Sequence, residues 1–480
     1  MKTHLPRCSP ESQGISSLRI LDFVDKVEKS GSEFHGFMLV RHGKVVAESW
    51  WTPYSAEQPH LLYSFSKSFT STAAGFAIDE GLFALDDKVI SFFPDDLPGQ
   101  VSSNLSAMKV RHLLSMSTGH EEEPSRFSED WVRAFLEKPV TKEPGSHFLY
   151  NSMATYMISA IIQKVSGQRL TDFLEPRLFQ PLEIVKLHSE CGPRGIDIGG
   201  WGMSARTEDM AKLAQLYLQR GVWNGERLLS ERWIDAATSK QVSNGDNPEN
   251  DWCQGYGFQF WRSRYNCYRG DGAFGQFGIV MPAQDAVVAI TSLVGDMQGP
   301  MNLIWQHLLP AMEAKPLLEN PDAQRQLAAR LSGLSVPAPR GQPTSKIASS
   351  VSGVTYQFKP NDQLVGAIRY DFGAHDGRLT ITDDLGDHRI EFGYGDWKLG
   401  TTEYKTHDKT SVLRDREFFR TAAYGGWTSE DTFSFRLALC DTPFCPSLTC
   451  KFFEQGVTFD IQGFIGFGAN ERPKLDGTIT

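Results

Sequence analysis

Residues 64–82 read Ser64-Phe65-Ser66-Lys67-Ser68-Phe69 and then TSTAAGFAIDEGL, and this stretch decides the fold. Its small and apolar residues predict one long helix that stops near Gly81. A serine three positions before a lysine lies one helical turn away on the same face, so the Ser64 hydroxyl and the Lys67 amine come within mutual reach. A lysine withdrawn from water loses basicity and can take a serine proton. A serine at a helix start also sets its own N–H at the positive end of the dipole, where an oxyanion would be held. Ser66 and Ser68 have no lysine three residues on. Ser and Lys are common, so the pair alone does not identify a site.

Upstream, an amphipathic helix is predicted over Ser17–Glu28, and GFMLVRHGKVVAESWW reads as a hairpin turning at His42-Gly43-Lys44. Downstream, helical patterns cover 107–117, 152–167, 207–220, 229–238 and 299–315, with strand-like runs at 256–262 and 276–292. After residue 331 the composition changes. LSGLSVPAPRGQPTSKIASS is rich in Ser, Pro and Gly and reads as a linker. Beyond it, alternating runs at Thr355–Phe358, Val365–Tyr370, Arg378–Thr382 and Thr432–Leu437 predict short strands, with turns at Asp376-Gly377, Gly386-Asp387 and Gly395-Asp396. The expected organisation is a mixed α/β domain over 1–330, a linker over 331–350 and an all-β domain over 351–480.

The 480 residues carry 48 basic and 58 acidic side chains, a net charge of −10 spread along the chain, which disfavours a nucleic-acid partner. No window reaches the roughly 18 apolar residues of a spanning helix. Pro6, Ser9, Pro10, Glu11 and Ser12 interrupt any signal-like apolar run, so a cytoplasmic protein with no membrane partner is expected. Of seven cysteines, Cys440, Cys445 and Cys450 cluster without the tight pairs of a zinc site and are expected as reduced thiols around a turn. FIGFGAN at 464–470 lacks the strand-to-helix context of a phosphate loop. His120-Glu121-Glu122-Glu123 has no second histidine at metal-binding spacing, so it reads as a solvated loop, and no metal is expected.

Two further elements carry chemistry. Tyr150-Asn151-Ser152 precedes the helix ATYMISAIIQKVSG, and a phenolate beside an ammonium can act as general base toward a serine hydroxyl. Gly270-Asp271-Gly272-Ala273 is a Gly-rich turn at a strand, where a substrate backbone could lie close to the edge. His147 is expected at a loop surface, and Trp201-Gly202-Met203 beside the pocket or in simple packing.

With Ser64-x-x-Lys67, Tyr150-x-Ser152 and the Gly270–Ala273 turn in this order, the chain resembles the serine β-lactamase-related superfamily, in the branch of class C β-lactamases, DD-peptidases and esterases. VRHLLSMSTGH at 110–120, GGWGMSARTEDMAKLAQLYL at 199–218 and LLSERWIDAAT at 228–238 match the branch in style, and the resemblance covers about residues 10–315. It implies an α/β (α+β) fold, with an antiparallel sheet flanked by helices and a helical subdomain, here followed by a barrel-like all-β domain.

The resemblance implies that Ser64 is the nucleophile, Lys67 its proton-handling partner and Tyr150 the general base. The backbone N–H groups of Ser64 and Ala273 would form the oxyanion hole, and Ser152, Asp271, Gly272 and Ala273 would meet substrate. It implies no cofactor. Ser152 stands where many of the branch's lactamases have Asn, so it supplies one donor instead of two. Gly270-Asp271-Gly272 stands where they have Lys-Thr-Gly, so an anionic penicillin would meet Asp271 as a like charge. The expected activity is therefore that of an esterase, amidase or D-aminopeptidase-like serine hydrolase on a small-molecule ester, amide or peptide, with weak or no β-lactamase activity. An acyltransferase using the same intermediate is the alternative; intact Ser64, Lys67 and Tyr150 argue against an inert binding protein. The C-terminal segment reads either as a shaper of the active-site rim or as a dimerisation surface that would make the protein a homo-oligomer.

Overall fold

A computed structural model describes residues 4–185, 187–404, 417–463, 467 and 471–479; the FIGFGAN stretch, Phe467 apart, lies outside the described residues. The chain forms two compact units. One comprises Met1–Ser49 with Leu61–Gly333, the other Trp50–His60 with Leu334–Thr480.

The first unit opens with helix α1 (Ser17–Ser30), which buries Ile20, Phe23, Val24 and Val27 on one face. Strands β1 (Glu33–Arg41) and β2 (Lys44–Trp50) form the expected hairpin, with φ of 48° at His42 and 72° at Gly43. Helices α2 (Ser66–Asp79), α3 (Ser152–Ser166) and α4 (Thr207–Leu218) follow. Strands β3 (Trp261–Arg262), β4 (Tyr268–Gly272), β5 (Gln276–Met281) and β6 (Ala286–Leu293) complete a sheet in the order β2-β1-β6-β5-β4-β3. The pairings β1–β6, β6–β5, β5–β4 and β4–β3 are antiparallel. β5 is buried throughout, and β1 and β6 nearly so, which is the signature of a sheet covered on both faces. α4 packs on β5 and β6 and α1 on β1, whereas α2 packs against α3 in a helical region. The run 256–262, expected as a strand, pairs as one only at Trp261–Arg262. Gln259 adopts φ 65°, and a Cβ on Gly257 would fall 2.0 Å from the Ala237 carbonyl oxygen, so the backbone there follows a tight loop.

The second unit is a β-barrel. Its strands are β7 (Thr355–Phe358), β8 (Ala367–Phe372), β9 (Asp376–Asp383), β10 (Gly386–Tyr394), β11 (Lys398–Thr402), β12 (Phe419–Trp427), β13 (Thr432–Leu439), β14 (Ser447–Phe453), β15 (Gly456–Gln462) and β16 (Leu475–Ile479). Antiparallel neighbours run β10-β9-β8-β7-β16-β15-β14-β13-β12, and β11 adds to β12. A short parallel pairing, Gly393 with Tyr424 and Tyr394 with Gly425, joins β10 to β12 and closes a nine-stranded ring. Alternate residues point inward, as in Leu379 and Ile381 of β9, and Tyr370, Phe392, Phe433, Phe435 and Phe452 are buried together, with Tyr370 meeting Phe433, Phe435 and Phe452 edge to face. The fold is thus the expected mixed α/β unit with antiparallel sheet and helices, together with an all-β barrel. All seven cysteines are free thiols; Cys440 and Cys445 are buried in the β13–β14 connection and Cys450 is buried within β14 itself, opposite Phe433.

Candidate active site

Ser64 stands in a single 3-10 turn, Tyr63–Phe65, that runs directly into α2; the α-helix therefore starts two residues later than the sequence pattern suggests. Tyr63 has φ 47°, a left-handed conformation that costs a non-glycine residue on the order of 1 kcal/mol or more. That sharp entry buries Tyr63 and Phe65 and leaves Ser64 half-buried. Lys67, one turn on, is 1% exposed. Its Nζ donates to Ser64 Oγ at 3.1 Å, to Ser152 Oγ at 3.0 Å and to the Gly200 carbonyl oxygen at 2.7 Å. Burial lowers the amine to about 7, against the opposing pull of the Glu123 and Asp271 carboxylates.

Tyr150 comes from the loop that leads into α3. Its hydroxyl hydrogen-bonds Ser64, and its ring lies 4.8 Å from Lys67 Nζ. The ring stacks on Trp261 at 5.3 Å and meets the edge of Tyr256 at 6.2 Å. Burial, and then the Asp271 charge, raise the Tyr150 phenol far above its ordinary value, so at neutral pH it keeps its proton. Ser152 is the first residue of α3, where Asn151 caps the helix by accepting from the Ala154 N–H at 3.1 Å.

Strand β4 brings the third element. The place a Cβ would take on Gly272 is 2.0 Å from the Leu62 carbonyl oxygen, and on Gly270 it is 2.5 Å from Ser68 Oγ. These glycines let β4 lie directly against the turn that carries Ser64, a closer approach than any side chain allows. Ala273 follows at the strand end, and among the described residues its N–H makes no hydrogen bond. Ser64 lies in the first turn of its helix, where N–H groups have no intrahelical acceptor. Phe274, like Tyr63, has a positive φ (64°), and the two rings meet edge to face at 5.4 Å. Asp271 is not the bare charge expected. Arg269, fully buried, holds it at 2.9 Å and lies 4.4 Å over the Trp252 ring.

Lys67 is thus brought together with Ser64, Tyr150 and Ser152, and β4 brings Gly272 against the turn that carries Ser64. Sequence reasoning missed Arg269 as the partner of Asp271, the Gly200 carbonyl and, above all, Glu123. In the stretch read as a solvated loop, His120 is buried and hydrogen-bonds Thr118 at 2.9 Å, and Glu123 turns to the start of α3, accepting from the N–H of Ser152 at 2.7 Å and of Met153 at 3.3 Å. A loop acid capping a distant helix leaves no periodic signal. Trp201, next to Gly200, packs on Trp131 at 5.8 Å, and His147 is exposed. Among the described residues no cluster of His, Cys, Asp and Glu is arranged to hold a metal, and no helix is long and apolar enough to cross a membrane. A cavity of about 640 Å³ between Ile78, Phe83, Arg111 and Trp233 lies at the opposite end of α2 and includes none of these residues.

Residues 24–298, more than half of the chain, match the Beta-lactamase family. The chain belongs to this family. It is similar to the 6-aminohexanoate-dimer hydrolase of Paenarthrobacter ureafaciens, 24% identical over 237 residues that make up 45% of this chain and 60% of that protein. The match therefore spans about three fifths of the length of that curated relative. Among solved structures, a penicillin-binding protein homologue from Caulobacter crescentus aligns with a TM-score of 0.50 at 18% identity, over 62% of this chain and 97% of that one. A family VIII carboxylesterase aligns with a TM-score of 0.50 at 18% identity, over 63% and 98%. Measured against the Beta-lactamase family's Lys-Thr-Gly, the third element here has its one cation, Arg269, spent on Asp271 inside the protein.

Proposed function

We propose that this member of the Beta-lactamase family is a serine hydrolase that forms an acyl-enzyme on Ser64 with a small ester or amide. The observation that carries the reading is the buried Lys67 amine, lowered to about 7, within hydrogen-bond reach of Ser64 Oγ. Neutral Lys67 takes the Ser64 proton as Oγ attacks the substrate carbonyl carbon. The N–H groups of Ser64 and Ala273 stabilise the oxyanion of the tetrahedral intermediate. When that intermediate collapses, the bond to the leaving group breaks and the proton returns from Lys67 to the leaving oxygen or nitrogen through the Tyr150 hydroxyl. Water then attacks the carbonyl carbon of the acyl-enzyme as Lys67 takes its proton. When the second tetrahedral intermediate collapses, the bond to Ser64 Oγ breaks and that water-derived proton passes from Lys67 to Ser64. Tyr150, expected as the base, serves in this scheme as a neutral relay, because burial and Asp271 keep it protonated.

Weak or absent β-lactamase activity remains part of the proposal, on a ground different from the one first expected. Arg269 offsets Asp271, so repulsion is reduced, but that cation is buried and committed and offers nothing to a substrate carboxylate. The family resemblance and the name of the curated hydrolase relative favour amides and esters. A cytoplasmic location, a homo-oligomeric state and the division into a hydrolase domain over 1–330, a linker over 331–350 and an accessory domain over 351–480 belong to the same proposal. Fractionation, light scattering and limited proteolysis of the full chain test them.

A fluorophosphonate with intact-mass analysis tests the nucleophile. One adduct on the wild type and none on Ser64→Ala is the expected result. Full p-nitrophenyl-ester turnover by Ser64→Ala would overturn it.

A further inference from the structure

The run Glu121-Glu122-Glu123 is not uniform in its partners. Glu121 pairs with Lys142 at 3.2 Å and Glu122 with Lys138 at 2.9 Å. Glu123 has no cationic partner among the described residues. Its Oε1 accepts the two N–H groups at the start of α3, and its Oε2, on an exposed side chain, is left for solvent. This carboxylate sits beside the catalytic cluster, because the Ser152 it caps also receives the Lys67 hydrogen bond. Its electrostatic influence on Lys67 is larger than that of Asp271. The other acid facing the cluster, Asp271, is neutralised by Arg269. Arg126, three residues along the same loop, lies 5.7 Å over the Trp201 ring and forms no ion pair with Glu123. An unpaired, solvent-facing carboxylate one residue removed from the reacting groups is an electrostatic complement for a cation.

We propose that Glu123 is a specificity-determining residue whose free oxygen binds an ammonium group of the substrate, so that the site selects amine-bearing esters and amides over neutral or anionic ones of equal length. The inference rests on the serine-hydrolase reading given above. Nothing covalent happens at Glu123; the pair forms as substrate docks and dissolves as product leaves.

Glu123→Gln tests it, because the amide oxygen can still accept the Ser152 and Met153 N–H groups while the charge is gone. Full-length wild type and variant are compared on length-matched p-nitrophenyl esters whose acyl chain ends in an ammonium, a methyl or a carboxylate. A second set of amides carries the ammonium on the leaving amine. The readout is the ratio of kcat/KM for cationic over neutral substrate, which cancels any effect common to all substrates. A fall of about fivefold in that ratio in either set, the size of an exposed ion pair, is the expected result. An unchanged ratio in both sets, with Ser64 still labelled by the phosphonate, would overturn the role of Glu123 alone. Absence of labelling and of turnover in the wild type would overturn the hydrolase reading and this inference with it.

Discussion

Arg269 and Asp271, two residues apart on β4, point to the same side of the sheet and form a 2.9 Å ion pair with both side chains shielded from water. A buried pair of this kind adds little net stability, but removing one partner strands the other. Arg269→Met should therefore cost about 3–5 kcal/mol in urea unfolding. Burial raises Asp271. Without Arg269 its folded-state value rises further above the unfolded one, so the variant should lose additional stability as pH rises through that value. Adding Asp271→Asn to Arg269→Met should recover part of the loss, and a loss unaffected by pH would contradict the account.

The acid limb of kcat/KM should have its midpoint at about 7, with activity rising as pH rises, because Lys67 becomes a base only on losing its proton. Glu123 favours the protonated amine, so Glu123→Gln should move that midpoint to lower pH. Stopped assays across the pH range on a neutral ester measure both. A midpoint that stays in place would mean that the charge of Glu123 does not reach Lys67.

Lys67→Met should lower kcat by roughly 10³-fold, the middle of the range for a lost proton acceptor. The melting temperature should hold or rise, because a thioether suits an enclosed position that is costly for an amine. Calorimetry and ester turnover on one preparation separate the two effects.

Gly272→Ala would set a methyl 2.0 Å from the Leu62 carbonyl oxygen and push the Ser64 turn away from β4. Phosphonate labelling of Ser64 should slow by about 10²-fold, the cost of a misplacement near 1 Å. Gly99→Ala, with nothing within 4 Å of the added methyl, is the control and should change stability by less than about 0.5 kcal/mol.

What could be read from the chain followed physical periodicity. Ser64 and Lys67 share a helix face because of their spacing, and burial alternates along β9, so Arg378–Thr382 was legible within it. Asp376-Gly377, expected as a turn, instead begins β9, because Gly377 leaves room for the Phe392 ring that packs over it. Glu123, the Gly200 carbonyl and the Arg269–Asp271 pair were not legible as parts of the site. The first two are contributed by loops distant in sequence, and an ion pair along a strand differs from two solvated charges only when the covering residues are known. The 256–262 run misled because apolar residues also line a buried loop. There Gln259 is anchored by its side chain to Leu113, Leu114 and Thr155 rather than by a ladder.

The contact of Gly270 and Gly272 with the Leu62–Phe65 and Ser68 region has a mechanical meaning. With no side chain between them, the nucleophile turn and the end of β4 form one stiff jaw, and the spacing of the Ser64 and Ala273 amides is set before any ligand arrives. Adaptation to a new acyl group then falls to the Glu121–Asp130 loop, where a change of charge at Glu123 is felt at Lys67 as well as by the substrate.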